Sequence, residues 1–281
     1  MKTLISAVGR RAGFRHIPMP AEVHQAGAAD SLGLQAMMVE NKLPHVTQGQ
    51  VAQDFDGFAD TYEEKINSAI AFAGQEHSFY IDIKREHILR LAQRHFGDLD
   101  RLDVLDLGCG LGGYHPGLEG KFHELHGVDV STHSVKLAAS RHPFVHYSTF
   151  DGHKLPYRDG QFSVVFTICV MHHVPPAQWK AFVAEMHRVT APGGLALVFE
   201  HNPYNPATQY VVKTCDIDKD AVLLTPGKLR RMFSDAGFVD VRTRTIITVP
   251  PAGRILAGLD SLLGHLPLGA QYYLEATKAR A

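Results

Sequence analysis

Three glycines and one acid lie close together in the stretch VLDLGCGLGG, residues 104–113. Gly108, Gly110 and Gly113 have the spacing G-x-G-x-x-G, which is typical of a loop that binds a dinucleotide at the start of a helix. Asp106, however, lies two residues before the first glycine, where a dinucleotide-binding fold has an apolar strand residue. The glycines therefore predict a cofactor-binding loop, and the acid bears on which cofactor it binds.

The charge of Asp106 distinguishes two candidate cofactors. NAD would place its pyrophosphate at the loop, and a neighbouring carboxylate would repel that group. S-adenosylmethionine (SAM) has no phosphate and would place its amino-acid end there, where a carboxylate attracts the ammonium. Asp106 therefore favours SAM.

Two further acids follow later predicted strands. Asp129 ends the second strand and can bind ribose hydroxyls of either cofactor, although an acid beside Ser131 is also typical of a helix start. Asp151 follows the third strand, and its carboxylate can accept a hydrogen bond from an adenine amine, which favours SAM. The pair that it forms with Gly152 is also typical of a simple turn.

The composition bounds the class of protein. The 281 residues are 45% hydrophobic, enough for one large domain, and the net charge of −1 argues against a nucleic-acid-binding module. The three cysteines form no CxxC pair and the histidines no H-E-x-x-H run, so neither a disulfide scaffold nor a metal site is expected. No apolar run is long enough to cross a membrane, and we predict a cytoplasmic monomer or homodimer.

The hydrophobic pattern predicts alternating strands and helices after an irregular start. Residues 1–48 show no sustained period and are expected to be a poorly ordered extension, followed by one domain over residues 49–281. Repeated strand–helix units imply a mostly parallel sheet with the ligand beyond the carboxyl ends of its strands. The predicted segments include helices at 79–96, from about 113 and at 225–237, and strands at 162–170, 195–199, 238–248 and 271–278.

Four segments resemble, in order and spacing, the motifs of class I SAM-dependent methyltransferases: VLDLGCGLGG, GVDVS, FDGHKLPYRDGQFSVVFTICVMHHV and RVTAPGGLALVFE. The similarity covers about residues 55–245 and is greatest to the small-molecule branch that includes quinone-pathway C-methyltransferases. It implies a Rossmann-like α/β fold, in which a seven-stranded, mostly parallel sheet has helices on both faces and an antiparallel last strand.

The resemblance also implies which residues hold SAM. Asp106 and the glycines would face its methionine end, Asp129 its ribose, and Asp151 with Gly152 its adenine. Tyr62 resembles an aromatic residue that such enzymes fold over the cofactor, although an aromatic residue on an amphipathic helix is also typical of a core. The implied cofactor-binding residues are Tyr62, Asp106, Gly108, Cys109, Gly110, Asp129, Val130, Asp151, Gly152, Cys169 and Val170.

Polar residues after the fourth and fifth strands are the candidates for chemistry and acceptor binding. His172 and His173 can act as a base towards an acceptor, or they can simply form the pocket wall. The candidate substrate-binding residues are Glu200, His201, Asn202 and Tyr204, of which the first two are second candidates for the base.

We therefore predict methyl transfer from SAM to a small-molecule acceptor, most favourably an oxygen, by in-line displacement. A carbon or nitrogen of a quinone-like, lipidic or other natural-product acceptor is the alternative. An NAD(P)-dependent oxidoreductase and a non-catalytic SAM-binding subunit are less favoured. Segments at about 51–75, 201–224 and 250–270 interrupt the regular pattern and are predicted to form a lid or the acceptor pocket.

Overall fold

The computed structural model describes residues 47–71, 76–248, 258, 260 and 262–280. The predicted extension over residues 1–48 lies outside this part except for its last two residues. Residues 250–257, 259 and 261 of the predicted lid segment at 250–270 lie outside it as well.

Seven strands of the described residues form one sheet in the order β3-β2-β1-β4-β5-β7-β6. Strand β7 is antiparallel to both its neighbours, and the other neighbouring pairs are parallel. The predicted fold, a mostly parallel sheet with an antiparallel last strand, is confirmed. The strands are β1 (Asp103–Leu107), β2 (Glu124–Asp129), β3 (His146–Thr149), β4 (Phe162–Ile168), β5 (Thr190–His201), β6 (Phe238–Ile246) and β7 (Gln271–Lys278).

Four of the described α-helices begin after a residue whose side chain caps them. Ser131 Oγ accepts a hydrogen bond from Ser134 N, and Thr225 Oγ1 accepts one from Lys228 N, which satisfies amides that have no partner within their helix. The described α-helices are α1 (Gln48–Phe58), α2 (Tyr62–Ile70), α3 (His77–Phe96), α4 (Thr132–Arg141), α5 (Trp179–Val189), α6 (Pro206–Thr214) and α7 (Pro226–Asp235).

The predicted α-helix from about residue 113 is wrong. The chain forms only a short 3₁₀ turn, His115–Leu118, after the glycine loop. Pro116 and Gly117 lower the helix propensity of this segment, and His115 is held by contacts to the sheet. The turn therefore lies close to the carboxyl end of β1.

Apolar side chains cover both faces of the central strands. Val164, Val165 and Phe166 in β4 have no exposed surface, as expected of a strand between two helical layers. One face packs against α5 and α7, and the other packs against α3. This packing holds the carboxyl ends of β1, β2, β4 and β5 at one edge of the sheet. None of the helices in the described part of the chain combines the length and apolarity needed to cross a membrane.

Candidate active site

A cavity of about 410 Å³ lies at the carboxyl ends of the parallel strands, with α1, α2 and α3 forming part of its wall. This is the edge of the sheet where the sequence predicts a ligand. The predicted cofactor-binding residues that line it are Tyr62, Asp106, Gly108, Cys109, Gly110, Asp129, Val130, Cys169 and Val170. The histidines that follow β4 and end β5 line it too, namely His172, His173 and His201.

Asp151 and Gly152 lie outside the cavity lining. Asp151 is exposed, and its Oδ1 accepts hydrogen bonds from the amides of His153 and Lys154, 2.8 and 3.0 Å away. These bonds lower the pKa of Asp151 and close a turn. The structure thus supports the turn interpretation, and contact with adenine stays a prediction.

The glycine loop brings the end of β1 against the residue that follows β4. Gly108 has φ +79°, and a Cβ there would lie 2.8 Å from Val170 Cγ1, so both backbone and packing require glycine. The third glycine that the structure requires is Gly112 and not Gly113. Gly112 has φ +73°, and a Cβ would lie 2.9 Å from His115 Nδ1. Gly112 is one of the variable positions of the G-x-G-x-x-G pattern, so the pattern does not predict that this residue must be a glycine.

Asp106 is buried in the cavity wall and is held by a histidine that the sequence analysis missed. His115 Nε2 lies 3.0 Å from Asp106 Oδ2, and His115 Nδ1 lies 2.5 Å from the Tyr147 hydroxyl. Burial raises the pKa of Asp106, and the contact with His115 opposes that rise. The carboxylate is therefore oriented before any ligand binds.

Asp129 ties the glycine loop to the start of α4. Its Oδ2 accepts a hydrogen bond from Gly110 N at 2.8 Å, and its Oδ1 accepts one from Ser131 N at 2.9 Å. Burial raises its pKa, while these amide bonds lower it. Asp129 thus has the structural role that the sequence left open, and it lines the cavity as well. Its contact with a ribose stays a prediction.

His172 lies between two carboxylates. Its Nδ1 is 2.5 Å from Glu200 Oε2, and its Nε2 is 3.5 Å from Asp218 Oδ1. Burial lowers the pKa of His172, but the two carboxylates outweigh burial and raise it well above its usual value. In this arrangement His172 is cationic, so it is a poor candidate for the base that the sequence analysis proposed.

Three of the predicted substrate-binding residues do not line the cavity, which corrects the expectation of direct contact. Glu200 is fully buried and accepts hydrogen bonds from Met171 N and His172 Nδ1. Asn202 is also buried; it donates to two carbonyls of the segment before β7 and accepts from Tyr204 N. Tyr204 is 58% exposed. These side chains organise the end of β5.

His173 and His201 are neutral imidazoles of the cavity wall. Burial and the charge of His172 lower the pKa of His173, whose ring packs edge-on against Phe55 at 5.0 Å. The same two causes lower the pKa of His201 to about 4. Both side chains can accept a proton from a bound molecule at neutral pH.

Two charged cavity residues, Lys84 and Asp218, were not found by sequence reasoning. Lys84 is 3% exposed, and its Nζ lies 3.3 Å from the Tyr114 hydroxyl and 3.7 Å from Cys169 Sγ. No carboxylate of the described residues lies within ion-pair distance of it. The available signal was a lysine at the spacing of the apolar face of α3, between Ile81 and Ile88. Asp218 belongs to no motif.

Comparison with known proteins is consistent with this geometry. Residues 105–198 match the family model described as "Methyltransferase domain", and the match covers the last three residues of β1, strands β2 to β4 and most of β5. A structure of a SAM-dependent methyltransferase from Thermotoga maritima, a possible histamine N-methyltransferase, superposes with a TM-score of 0.58. The superposition covers 80% of this chain and 99% of that protein at 17% identity, so it shows the fold alone. Residues 105–198 are thus similar to a methyltransferase domain, and the sheet has a fold that is also found in a SAM-dependent methyltransferase.

The curated relatives that this chain matches are named for different methyl acceptors. The 2-methyl-6-phytyl-1,4-hydroquinone methyltransferase of Synechocystis sp. is 31% identical over 44% of this chain and 40% of its own length. The norajmaline N-methyltransferase of Rauvolfia serpentina is 31% identical over 38% of this chain and 39% of its own length. The chain thus spans less than half the length of these relatives.

Proposed function

We propose that the protein transfers a methyl group from SAM to a small-molecule acceptor. The observation that carries this proposal is one cavity whose wall combines the carboxylates of Asp106 and Asp129 with the neutral imidazoles of His173 and His201. The carboxylates suit an ammonium and a ribose, and the imidazoles suit an acceptor that must lose a proton.

The residues present fit SAM at the glycine loop. Asp106, held by His115, would bind the ammonium, and Asp129 would bind the ribose hydroxyls. Cys169 and Val170, after β4, would border the sulfonium. When bound, SAM supplies an electrophilic methyl carbon with a good leaving group. The protein would mainly align the acceptor with that carbon, because positioning alone accounts for much of the barrier in such reactions.

We infer that the acceptor atom is an oxygen on an apolar, ring-containing molecule. Phe55, Ile66, Phe79 and Ile247 give the cavity apolar walls, which suit such a molecule. A hydroxyl loses its proton during methylation, and His173 or His201 can accept it. His172, held between Glu200 and Asp218, would position these rings: its centroid lies 4.1 Å from that of His173 and 5.0 Å from that of His201.

The test begins with cofactor binding, measured by calorimetry with SAM, S-adenosylhomocysteine, NAD and NADP. We expect SAM and S-adenosylhomocysteine to bind and the dinucleotides not to bind. Asp106→Asn should weaken SAM binding by more than tenfold, because it removes the charge facing the ammonium. Asp103→Asn is the matched control: Asp103 lies at the other end of β1, where it contacts His123. Equal losses in the two variants, or tighter binding of NAD, would contradict the proposal.

The acceptor is tested with methyl-labelled SAM and parallel panels of phenols, hydroquinones and amines. The label should appear as an ether on oxygen. Label on ring carbon or on an amine would contradict an oxygen acceptor while leaving methyl transfer itself supported. Absence of transfer to all panels despite tight SAM binding would favour a binding subunit.

A further inference from the structure

Three potential ligand atoms converge on the cavity at the end of β4. His172 and His173 follow that strand, and Asp218 ends the 3₁₀ turn Asp216–Asp218. One ligand atom from each of the three side chains lies within 4.8 Å of the others. Asp218 Oδ1 is 3.5 Å from His172 Nε2 and 3.4 Å from His173 Nε2. All three side chains line the cavity.

These distances fit a shared ion better than hydrogen bonds. Nitrogen-to-oxygen hydrogen bonds are normally about 2.7–3.2 Å long, so both contacts are too long for strong ones. Bonds of about 2.0–2.1 Å to a tetrahedral ion would separate its ligand atoms by about 3.4 Å. His172 Nε2 is moreover buried and has no hydrogen-bond partner among the described residues. A buried ring nitrogen without a hydrogen-bond partner therefore faces this gap.

The surroundings of His172 are those of a metal-binding histidine. Glu200 Oε2 accepts the Nδ1 hydrogen at 2.5 Å, which fixes the ring and directs Nε2 towards Asp218. Ligating histidines usually make such a bond from their second nitrogen to a carboxylate or carbonyl. Glu200 itself is held by the Met171 amide. Two carboxylates thus flank the His172 ring, Glu200 at Nδ1 and Asp218 at Nε2, and a divalent cation beside Nε2 would balance their negative charge.

We propose that His172, His173 and Asp218 form a binding site for one divalent transition-metal ion of the Zn²⁺ or Fe²⁺ type. Two imidazoles and one carboxylate suit these ions and leave coordination positions unfilled. The unfilled positions face the cavity, where they can hold an oxygen of the acceptor. A bound ion would occupy His173 Nε2 and leave His201 as the proton acceptor. The sequence predicted no metal site, because Asp218 is about 45 residues from the histidine pair and no motif joins them.

The test is a titration of the full chain with Co²⁺ after chelator treatment, since the visible absorption of Co²⁺ reports its coordination. We expect one tightly bound equivalent with the intense bands of four- or five-fold coordination, displaced by Zn²⁺ and not by Mg²⁺. Asp218→Asn and His173→Gln should each weaken binding by more than a hundredfold. Glu200→Gln should weaken it by about tenfold to a hundredfold, because it only orients His172.

Controls separate this site from adventitious binding by other histidines. The rings of His126 and His146 lie on neighbouring strands with their centroids 4.9 Å apart, and Glu124 Oε2 lies 3.0 Å from His126 Nε2. The variant His146→Gln therefore tests that second cluster. It should leave the tight equivalent unchanged. Wild-type protein without such an equivalent, or Asp218→Asn and His173→Gln titrations identical to wild type, would overturn the proposal. The two proposed ligands are tested in separate variants, so if one variant misfolds, the Co²⁺ titration of the other still tests the proposal.

The metal site is independent of the proposed methyl transfer. Co²⁺ binding should persist in Asp106→Asn, where SAM binding is impaired. If the protein binds SAM but shows no Co²⁺ bands, only the proposed metal site is contradicted. If it shows the Co²⁺ bands but does not bind SAM, only the proposed function is contradicted.

Discussion

At the scale of single residues, side chains that line the cavity are held in place by neighbours that do not line it. Asp106 is oriented by His115, and His115 is oriented in turn by Tyr147. Glu200 is buried behind His172 and orients it. Holding the residues that face a ligand in this way reduces the reorganisation that binding would otherwise require.

Gly108 offers a test of how strictly the loop is specified. Gly108→Ala should lower the free energy of unfolding by about 2–4 kcal/mol, because it combines a left-handed backbone with a clash against Val170. Gly110→Ala should lower it by only about 1–2 kcal/mol, since Gly110 has φ +49° but no neighbouring atom within 4 Å of an added Cβ. Urea unfolding of both variants measures the difference.

The double variant Gly108→Ala/Val170→Ala identifies the cause. Shortening Val170 should restore part of the stability lost in Gly108→Ala, because it removes the two methyl groups in the way. Similar losses in Gly108→Ala and Gly110→Ala, with no recovery in the double variant, would show that the packing against Val170 is unimportant.

At the scale of elements, the cavity depends on helices outside the alternating strand–helix pattern. Helices α1 and α2 contribute Phe55 and Tyr62 to its wall, as the predicted lid at about 51–75 requires. Helix α6 and the 3₁₀ turn after it contribute residues of the predicted segment 201–224, among them Asp218. Lys65 of α2 forms an ion pair of 2.7 Å with Asp216, which connects the two segments. Such a surface pair adds at most about 1 kcal/mol.

We expect α1 and α2 to close over bound cofactor, which limited trypsin digestion can measure at Lys65. S-adenosylhomocysteine at about ten times its Kd should slow cleavage after Lys65 by about tenfold, because ligand binding lowers the population of the open form. Cleavage after Arg230 and Arg231 in α7, whose residues do not line the cavity, is the internal control. Equal rates at Lys65 with and without ligand would argue against closure.

At the scale of the whole molecule, neutral histidines make stability depend on pH. Burial, together with the charge of Arg90, lowers the pKa of His87 to about 4, and burial with the charge of Lys84 does the same for His77. In the unfolded chain each would titrate near 6.5. Between these values the unfolded state binds more protons, so stability is complete above about pH 6.5 and falls as the pH drops towards 4.

We expect His87 alone to contribute about 2 kcal/mol to the loss of stability between pH 7 and pH 5. In His87→Phe, which keeps a ring against Tyr273, the free energy of unfolding should fall by about 2 kcal/mol less over that range. His153→Gln, at an exposed position, is the control and should behave like wild type. Identical pH dependence in wild type and His87→Phe would refute the assignment.

The sequence alone determined the sheet and most of the cavity wall around the glycine loop. Strand and helix periods are local properties, and the glycine loop with Asp106 and Asp129 forms a motif of fixed spacing, so these features were readable without coordinates. The predicted helix that proved to be a 3₁₀ turn shows the limit even there, since Pro116 and Gly117 lower the local helix propensity and His115 contacts Asp106 of β1.

Only the tertiary structure decided which polar residues face the cavity. Glu200 and Asn202 are the two sequence neighbours of His201, which lines it, yet packing buries both of them away from the cavity. Lys84 and Asp218 come from segments about 135 residues apart and enter the same cavity because the helices fold over the strand ends. No hydrophobic period or motif spacing in the sequence predicts such long-range proximity. The chemistry of the histidine pair therefore depends on an acid that only folding brings to it.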